Sequence, residues 1–318
     1  MDLENLRNRR QEKRSARIRE LLNASQMPRN QVASISGISN TYIRDLENGN
    51  IVNVSRTKLI SLSVALNLGL HEIDRLLNDF ERTALSSDDI PVFIETSGQS
   101  KFSQAMLPVR DRFTLDLMML SAERIPGNLT VVSSRPTHSI RAEGHPSYTE
   151  RFFAEAHPIY PELIESIGRE RKRHLTRNLT RFKVNQYICK TCLEEYIHNC
   201  TDKTELEWRC RHIENLIWHL KNYENFNAHI TCDCPTFMMV LKESGEADGS
   251  GDKLLMTYLP PHPSASHHSG RFVGFATENS NVIRNFRDDL YVTHKAVIQK
   301  FTDKSRLIDF LQTLIKGY

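Results

Sequence analysis

Apolar positions in the first eighty residues recur at helical spacing, in short runs bounded by caps and breakers. Ile18, Leu21 and Leu22 mark the buried side of a first helix, Glu4 to Asn23, whose earlier part is nearly all polar. That basic start is expected to fray, or to act as an arm, when no partner holds it. Pro28 suits the first turn of the next helix, where its missing amide proton costs nothing. Across Arg29 to Gly49, RNQVASISGISNTYIRDLENG, the apolar positions Val32, Ala33, Ile38, Ile43 and Leu46 predict two short helices pinned together around a tight turn. Ala33 is small where the helices approach, and Gly37 stands where a side chain would disfavour the backbone angle. Ser39 is a natural N-cap for the second helix, and Asn48–Gly49 stops it. Asn40, Thr41, Arg44 and Asp45 then fall opposite Ile43 and Leu46. A loop, Asn50 to Val54, leads to Ser55 as cap of a helix from Arg56 to Leu66. A fifth helix, Leu70 to Asp79, carries Ile73, Leu76 and Leu77.

Beyond a polar run from Arg82 to Asp89, read as a linker, the pattern changes. Pro91 to Thr96 suggests a short strand or extended connector. Phe113 to Ser121 is apolar and helical, and Leu129 to Ser133 reads as a strand. Helical spacing returns from Tyr148 to Ala156 and from Pro161 to Phe182. Val184, Ile188, Cys192 and Tyr196 repeat every four residues and predict a further helix. Leu206, Cys210, Ile213, Ile217 and Leu220 follow a 4-3-4-3 rhythm, the seam of a core helix or of an oligomer contact. Candidate strands are Ala228 to Thr231, Phe237 to Lys242, Leu254 to Leu259 and Arg271 to Ala276. Between them lie two breaker-rich loops, SGEADGSGD and PPHPSASHHSG, and helices at Asn281 to Val297 and Lys304 to Lys316 close the chain. The expected organisation is multidomain: an all-α five-helix domain at 1–81, a linker at 82–90, and a mixed α/β (α+β) domain at 91–318. The last divides into a helical stretch, 140–225, and an α/β stretch, 226–318.

Composition narrows this picture little: 39% hydrophobic and 25% charged residues in 318 describe an ordinary globular chain. No run approaches the ~18 apolar residues of a membrane span, and no apolar core follows the basic N-terminus as in a signal peptide. The expected compartment is therefore the cytoplasm, with no membrane partner and with six cysteines as thiols. A net charge of +3 decides nothing, but its distribution is informative. Arg7, Arg9, Arg10, Lys13, Arg14, Arg17 and Arg19 crowd the first twenty residues, placed to neutralise phosphates. A second cluster, Arg169, Arg171, Lys172, Arg173, Arg177, Arg181 and Lys183, reads as a solvated helix face.

The segment around Arg29 to Gly49 resembles the helix-turn-helix of Cro and lambda-repressor type, the XRE family. It has the family's small residue, Ala33, then Gly37 four later, then apolar residues six and nine beyond, Ile43 and Leu46. The Glu-x-Gly ending follows at Glu47, Asn48 and Gly49. The similarity extends over roughly Arg14 to Leu77. One departure is Arg29, where the family commonly has Gln; arginine keeps a phosphate donor. The resemblance implies a lambda-repressor-like fold and a duplex-DNA partner, with Arg56 and Lys58 where the family touches the backbone.

Other chemistry is weaker. Cys189 and Cys192 have a zinc-knuckle gap, with His198, Cys200, Cys210, His212, Cys232 and Cys234 as candidate partners. They sit within an apparent helical pattern, however, so buried helix cysteines are the preferred reading and no metal or cofactor is expected. Cys232-Asp233-Cys234 is the pair to watch for redox chemistry. His262, His267 and His268 lie in a loop that reads as solvent-exposed. His294-Lys295 with Asp303 has the wrong spacing for phospholipase-D chemistry, although the C-terminal layout weakly resembles phospholipase-D-like sensor domains. The Ser-Met pattern of LexA-type self-cleaving repressors is absent, as are GxxxxGK[ST] and GxGxxG, so no enzyme is expected.

The functional expectation is a sequence-specific transcriptional regulator, a dimeric repressor on operator DNA. Asn40 is assigned to adenine, Arg44 to guanine or phosphate, Thr41 to a thymine methyl or a phosphate, and Asp45 to cytosine or to orienting Arg44. Arg29, Ser39, Asn48, Arg56, Lys58, Arg14 and Arg17 are assigned to the backbone. A homodimer on two half-sites follows from the small footprint of one module. The C-terminal region would then dimerise and receive a small-molecule or protein effector. The rival readings are an antitoxin-like, protein-binding module that autoregulates its operon, and an enzyme with a DNA-binding head acting on nucleotides or phosphodiesters.

Overall fold

Helix α1 (Leu3–Ala24) opens the chain, followed by α2 (Arg29–Ser36), α3 (Asn40–Asn48), α4 (Arg56–Ala65) and α5 (Leu70–Asp79). The computed structural model describes residues 3–98, 101–141, 157–246, 251–258 and 271–316. The local signals act as expected. The Ser39 hydroxyl accepts from the Tyr42 amide at 3.2 Å, and Ser55 caps α4 the same way at Lys58. Gly37 and Gly49, at φ +67° and +76°, supply the left-handed turns after α2 and α3. Ile18, Val32, Ile43, Leu59, Leu62 and Ile73 are buried together. Contrary to the expected frayed start, α1 is helical from Leu3 onward; Gln11 donates to the carbonyls of Gly49 (3.0 Å) and Ile51 (2.7 Å) and ties it to the end of α3.

The segment read as a linker is packed. Leu85 and Asp89 are buried, Arg82 donates to Val54 O at 2.8 Å, and Arg56 reaches the Asp89 carboxylate at 2.5 Å. Pro91 to Thr96 is not extended: α6 (Ile90–Thr96) forms with proline in its first turn, where a fixed φ and a missing amide proton suit a helix, and Phe93 goes into the core.

A seven-stranded sheet follows, comprising β1 (Leu107–Asp111), β2 (Asn128–Ser133), β3 (Val184–Cys189), β4 (Phe226–Thr231), β5 (Phe237–Glu243), β6 (Lys253–Tyr258) and β7 (Arg271–Thr277) in the order β1-β7-β6-β5-β2-β3-β4. β2, β3 and β4 are parallel to one another, and the other pairings are antiparallel. Between the strands run α7 (Arg112–Arg124), α8 (Tyr160–Asn178), α9 (Lys190–His198) and α10 (Lys203–Asn222). α11 (Ser280–Lys295) and α12 (Lys304–Ile315) end the described chain. The period of two splits the sheet between two cores. Val131, Ile188, Val240 and Leu255 join the large core, which is continuous with that of the N-terminal helices. Val132, Tyr187, Met239, Leu241, Leu254 and Met256 form the other with Ile283 and Leu290 of α11.

The predicted helix through Val184 and Tyr196 is instead a strand followed by a helix, broken at Cys189. The expected Tyr148–Ala156 helix and His262, His267 and His268 lie outside the described residues. In the second basic cluster Arg171 departs from the solvated reading: it is buried, bonded to Glu123 at 2.9 and 3.0 Å and to Asp116 at 3.4 Å. No described helix is long and apolar enough to cross a membrane.

Candidate nucleic-acid interface

One flank of α3, at Ile43 and Leu46, is buried, and Asn40, Thr41, Arg44 and Asn48 are exposed on the other. Residues four apart share a helix face, so Asn40, Arg44 and Asn48 form one stripe with Thr41 beside it. α3 packs against α1 and α2. α4, α5 and the loop between them meet the rest of the chain. There Ser61 pairs with Thr96 (3.3 Å), Asn67 donates to Pro108 O (2.7 Å), and Asp74 meets His157 (2.6 Å). The exposed stripe is left open as a result.

The remaining sequence candidates divide by what holds them. Asp45 is half-buried and accepts from Asn50 at 3.2 Å, which fixes the loop after α3. Arg29 is exposed but forks onto Glu47 at 2.6 and 3.0 Å; that hydrogen bond first, and the carboxylate's charge second, raise the guanidinium above its ordinary value. Glu47 is buried, so the pair joins the start of α2 to the end of α3. Ser39 is exposed at its cap. Lys58 is exposed with its ammonium 4.0 Å from the Tyr42 ring centroid, a cation–π contact that sequence spacing did not suggest.

Three arginines are used internally. Arg14 donates to Asp79 O at 2.8 Å, sits over the Phe80 ring and pairs with Glu81. Arg17 pairs with Glu20 at 2.8 Å within α1. Arg56 holds Asp89 and the carbonyls of Thr83 and Ala84. Those of Arg14 and Arg56 are visible only from tertiary neighbours, whereas Arg17–Glu20 is an i, i+3 pair within one helix.

Away from α3, the sheet face under α11 holds a cavity of about 410 Å³ lined by Asn185, Tyr187, His229, Glu243, Arg287 and His294 among others. The Tyr187 hydroxyl lies 2.9 Å from His294 Nδ1, and its ring stacks on His229 at 4.8 Å. Burial pushes the Tyr187 hydroxyl up to about 12, and burial followed by the charge of His294 pulls His229 below its ordinary value. Arg287 is paired with Asp252 and Glu243. Sequence reasoning met His294 only as part of a rejected motif; sheet registry brings the others to it.

The four weighed cysteines are partly gathered. Cys189, Cys192 and Cys234 place their sulfurs within 4.8 Å of one another, and Cys232 is exposed two residues before Cys234. They are not helix-core residues: Cys189 caps α9, Cys192 lies in its first turn, and Cys232 and Cys234 follow β4.

Among known proteins, a family model described as helix-turn-helix matches residues 17–73, spanning α1 from Arg17 through the first half of α5. No curated protein and no solved structure matches the chain.

Proposed function

We propose that the chain, whose residues 17–73 match a helix-turn-helix family model, is a DNA-binding transcription regulator and acts as a homodimeric repressor of specific operators. The observation that carries this reading is the stripe Asn40, Thr41, Arg44 and Asn48, polar and open on a helix whose opposite flank is buried. Asn40 pairs with adenine and Arg44 with guanine in the major groove; Thr41 meets a thymine methyl. Ser39, Asn48 and Lys58 position the module on phosphates, and Arg29, already forked onto Glu47, adds its remaining donor edge. Arg14 and Arg56 act chiefly by holding the helices in place, and Arg17 pairs within α1.

The cavity under α11 is the candidate effector pocket. Its hydrogen-bonding lining of Asn185, Tyr187, His229 and Glu243 suits a small polar molecule. Bound there, such a molecule would alter the spacing of two DNA-binding heads in the dimer.

The test is a gel-shift titration on DNA upstream of the protein's own gene beside a scrambled duplex. The reading expects tighter binding to the former, and Asn40→Ala to cost about 1–3 kcal/mol at its cognate base. Equal affinity for both duplexes removes the claim of specificity. An Asn40→Ala variant that binds like wild type shows that a different face enters the groove.

A further inference from the structure

β3 ends at Cys189, whose sulfur accepts from the Cys192 amide at 3.5 Å as α9 begins. Its parallel neighbour β4 ends at Thr231, and the loop that follows carries Cys232 and Cys234. The side-by-side pairing of the two strands brings two distant stretches of chain to one place. There Cys192 Sγ and Cys234 Sγ are 3.1 Å apart, and all three sulfurs of Cys189, Cys192 and Cys234 fall within 4.8 Å.

These separations suit a cation better than a covalent bridge or apolar packing. Zinc–sulfur bonds of about 2.3 Å at tetrahedral angles set ligand sulfurs about 3.8 Å apart, between the 3.1 Å of the Cys192–Cys234 pair and the 4.8 Å within which all three sulfurs lie. A disulfide requires about 2.0 Å. Apolar packing would bury the thiols, yet only Cys189 is buried; Cys192 is half-buried and Cys234 exposed.

We propose that Cys189, Cys192 and Cys234 form a binding site for a thiophilic divalent cation, zinc above all. Zinc displaces the proton of each thiol to solvent and forms three Zn–S bonds, with no change of oxidation state. A fourth ligand would come from solvent or from Cys232, which is exposed on the same loop as Cys234. Bound metal fastens this loop to the start of α9. The loop is also bonded to the chain beyond α11, Cys232 N donating to Ala296 O at 2.9 Å, so the fastening extends toward the wall of the cavity that holds His294.

The full-length chain is prepared reduced, loaded with zinc, desalted and assayed for metal by mass spectrometry; a metal-free portion is titrated with cobalt(II). The expected result is one metal per chain, with the thiolate-to-cobalt charge-transfer band and intense visible bands of a tetrahedral site. Cys192→Ser and Cys234→Ser should each remove most of the bound metal and the band, whereas Cys200→Ser and Cys210→Ser should retain both. Cys234 lies on an exposed loop, so its variant carries the test should Cys192→Ser fail to fold. Reduced wild type that holds no metal and gives no band overturns the proposal. So does a band that survives in Cys234→Ser at full intensity.

Discussion

Lys101 is a lysine driven into the core. Its side chain is 1% exposed, its ammonium nitrogen has no hydrogen-bond partner among the described residues, and its amide donates to Ser121. It adjoins Phe102, whose carbonyl accepts from Gln31 of α2, so it lies where the DNA-binding helices meet the sheet. Burial pulls its ammonium down from 10.5 to about 7, with Asp111 opposing the shift. Between those values the unfolded chain keeps the proton that the folded chain has released. The unfolded state thus binds more protons, and stability rises with pH through that window. At ~1.4 kcal/mol per pH unit, the whole span is about 5 kcal/mol, fully felt below about pH 7. Lys101→Met keeps the length of the side chain and removes the titration. Allowing about half the span for local relaxation around the charged form, the variant should be more stable by about 2–4 kcal/mol at pH 7. Guanidinium unfolding of both proteins at about pH 7 and pH 10 checks this, with the gap closing at the higher pH. Lys242, drawn to about 8 by burial, contributes in the same direction to both proteins and cancels in the difference. A less stable Lys101→Met, or a gap that does not change with pH, would refute the argument.

Arg171→Met leaves Glu123 without its cation in the core, while Asp116 keeps Arg112 at 2.8 Å, and should cost about 3–5 kcal/mol in the same unfolding assay; replacing Glu123 by an apolar residue as well should recover much of the loss. Arg56→Ala should lower thermal stability by freeing the buried Asp89 while leaving the salt dependence of DNA binding unchanged, whereas Lys58→Ala should reduce the salt slope by about one. Gly49→Ala should destabilise by about 1–2 kcal/mol from its left-handed backbone alone, because the added methyl meets only ordinary contacts at 3.6 Å from Gln11 and Ser15. Gly274→Ala should prevent normal pairing of β6 and β7, since its methyl would lie 2.1 Å from Met256 O; loss of soluble protein or of the near-ultraviolet dichroism of the native fold is the readout.

The helix-turn-helix was legible in the sequence because it is made by short-range rules. Caps at Ser39 and Ser55, glycines at 37 and 49, and apolar spacing within each helix all act over a few residues, so α2 through α5 emerge within a residue of their expected bounds. The exposed stripe on α3 follows from the same count. Most later strands were legible too, as short runs between breakers. Val184 to Tyr196 was misread because residues four apart share a face in a helix and in a strand alike, leaving that period unable to choose between them. Tertiary structure alone decided what depends on distant partners. It committed Arg56 to Asp89 and Arg14 to the end of α5, buried Arg171 against two acids, and set Tyr187 between His229 and His294. It also laid β3 beside β4, which gathered Cys189 and Cys192 with the distant Cys234. Local sequence can specify a cap or a turn, because the groups that satisfy it are neighbours in the chain. A buried charge or a cluster of thiols is specified only when the fold supplies neighbours from elsewhere.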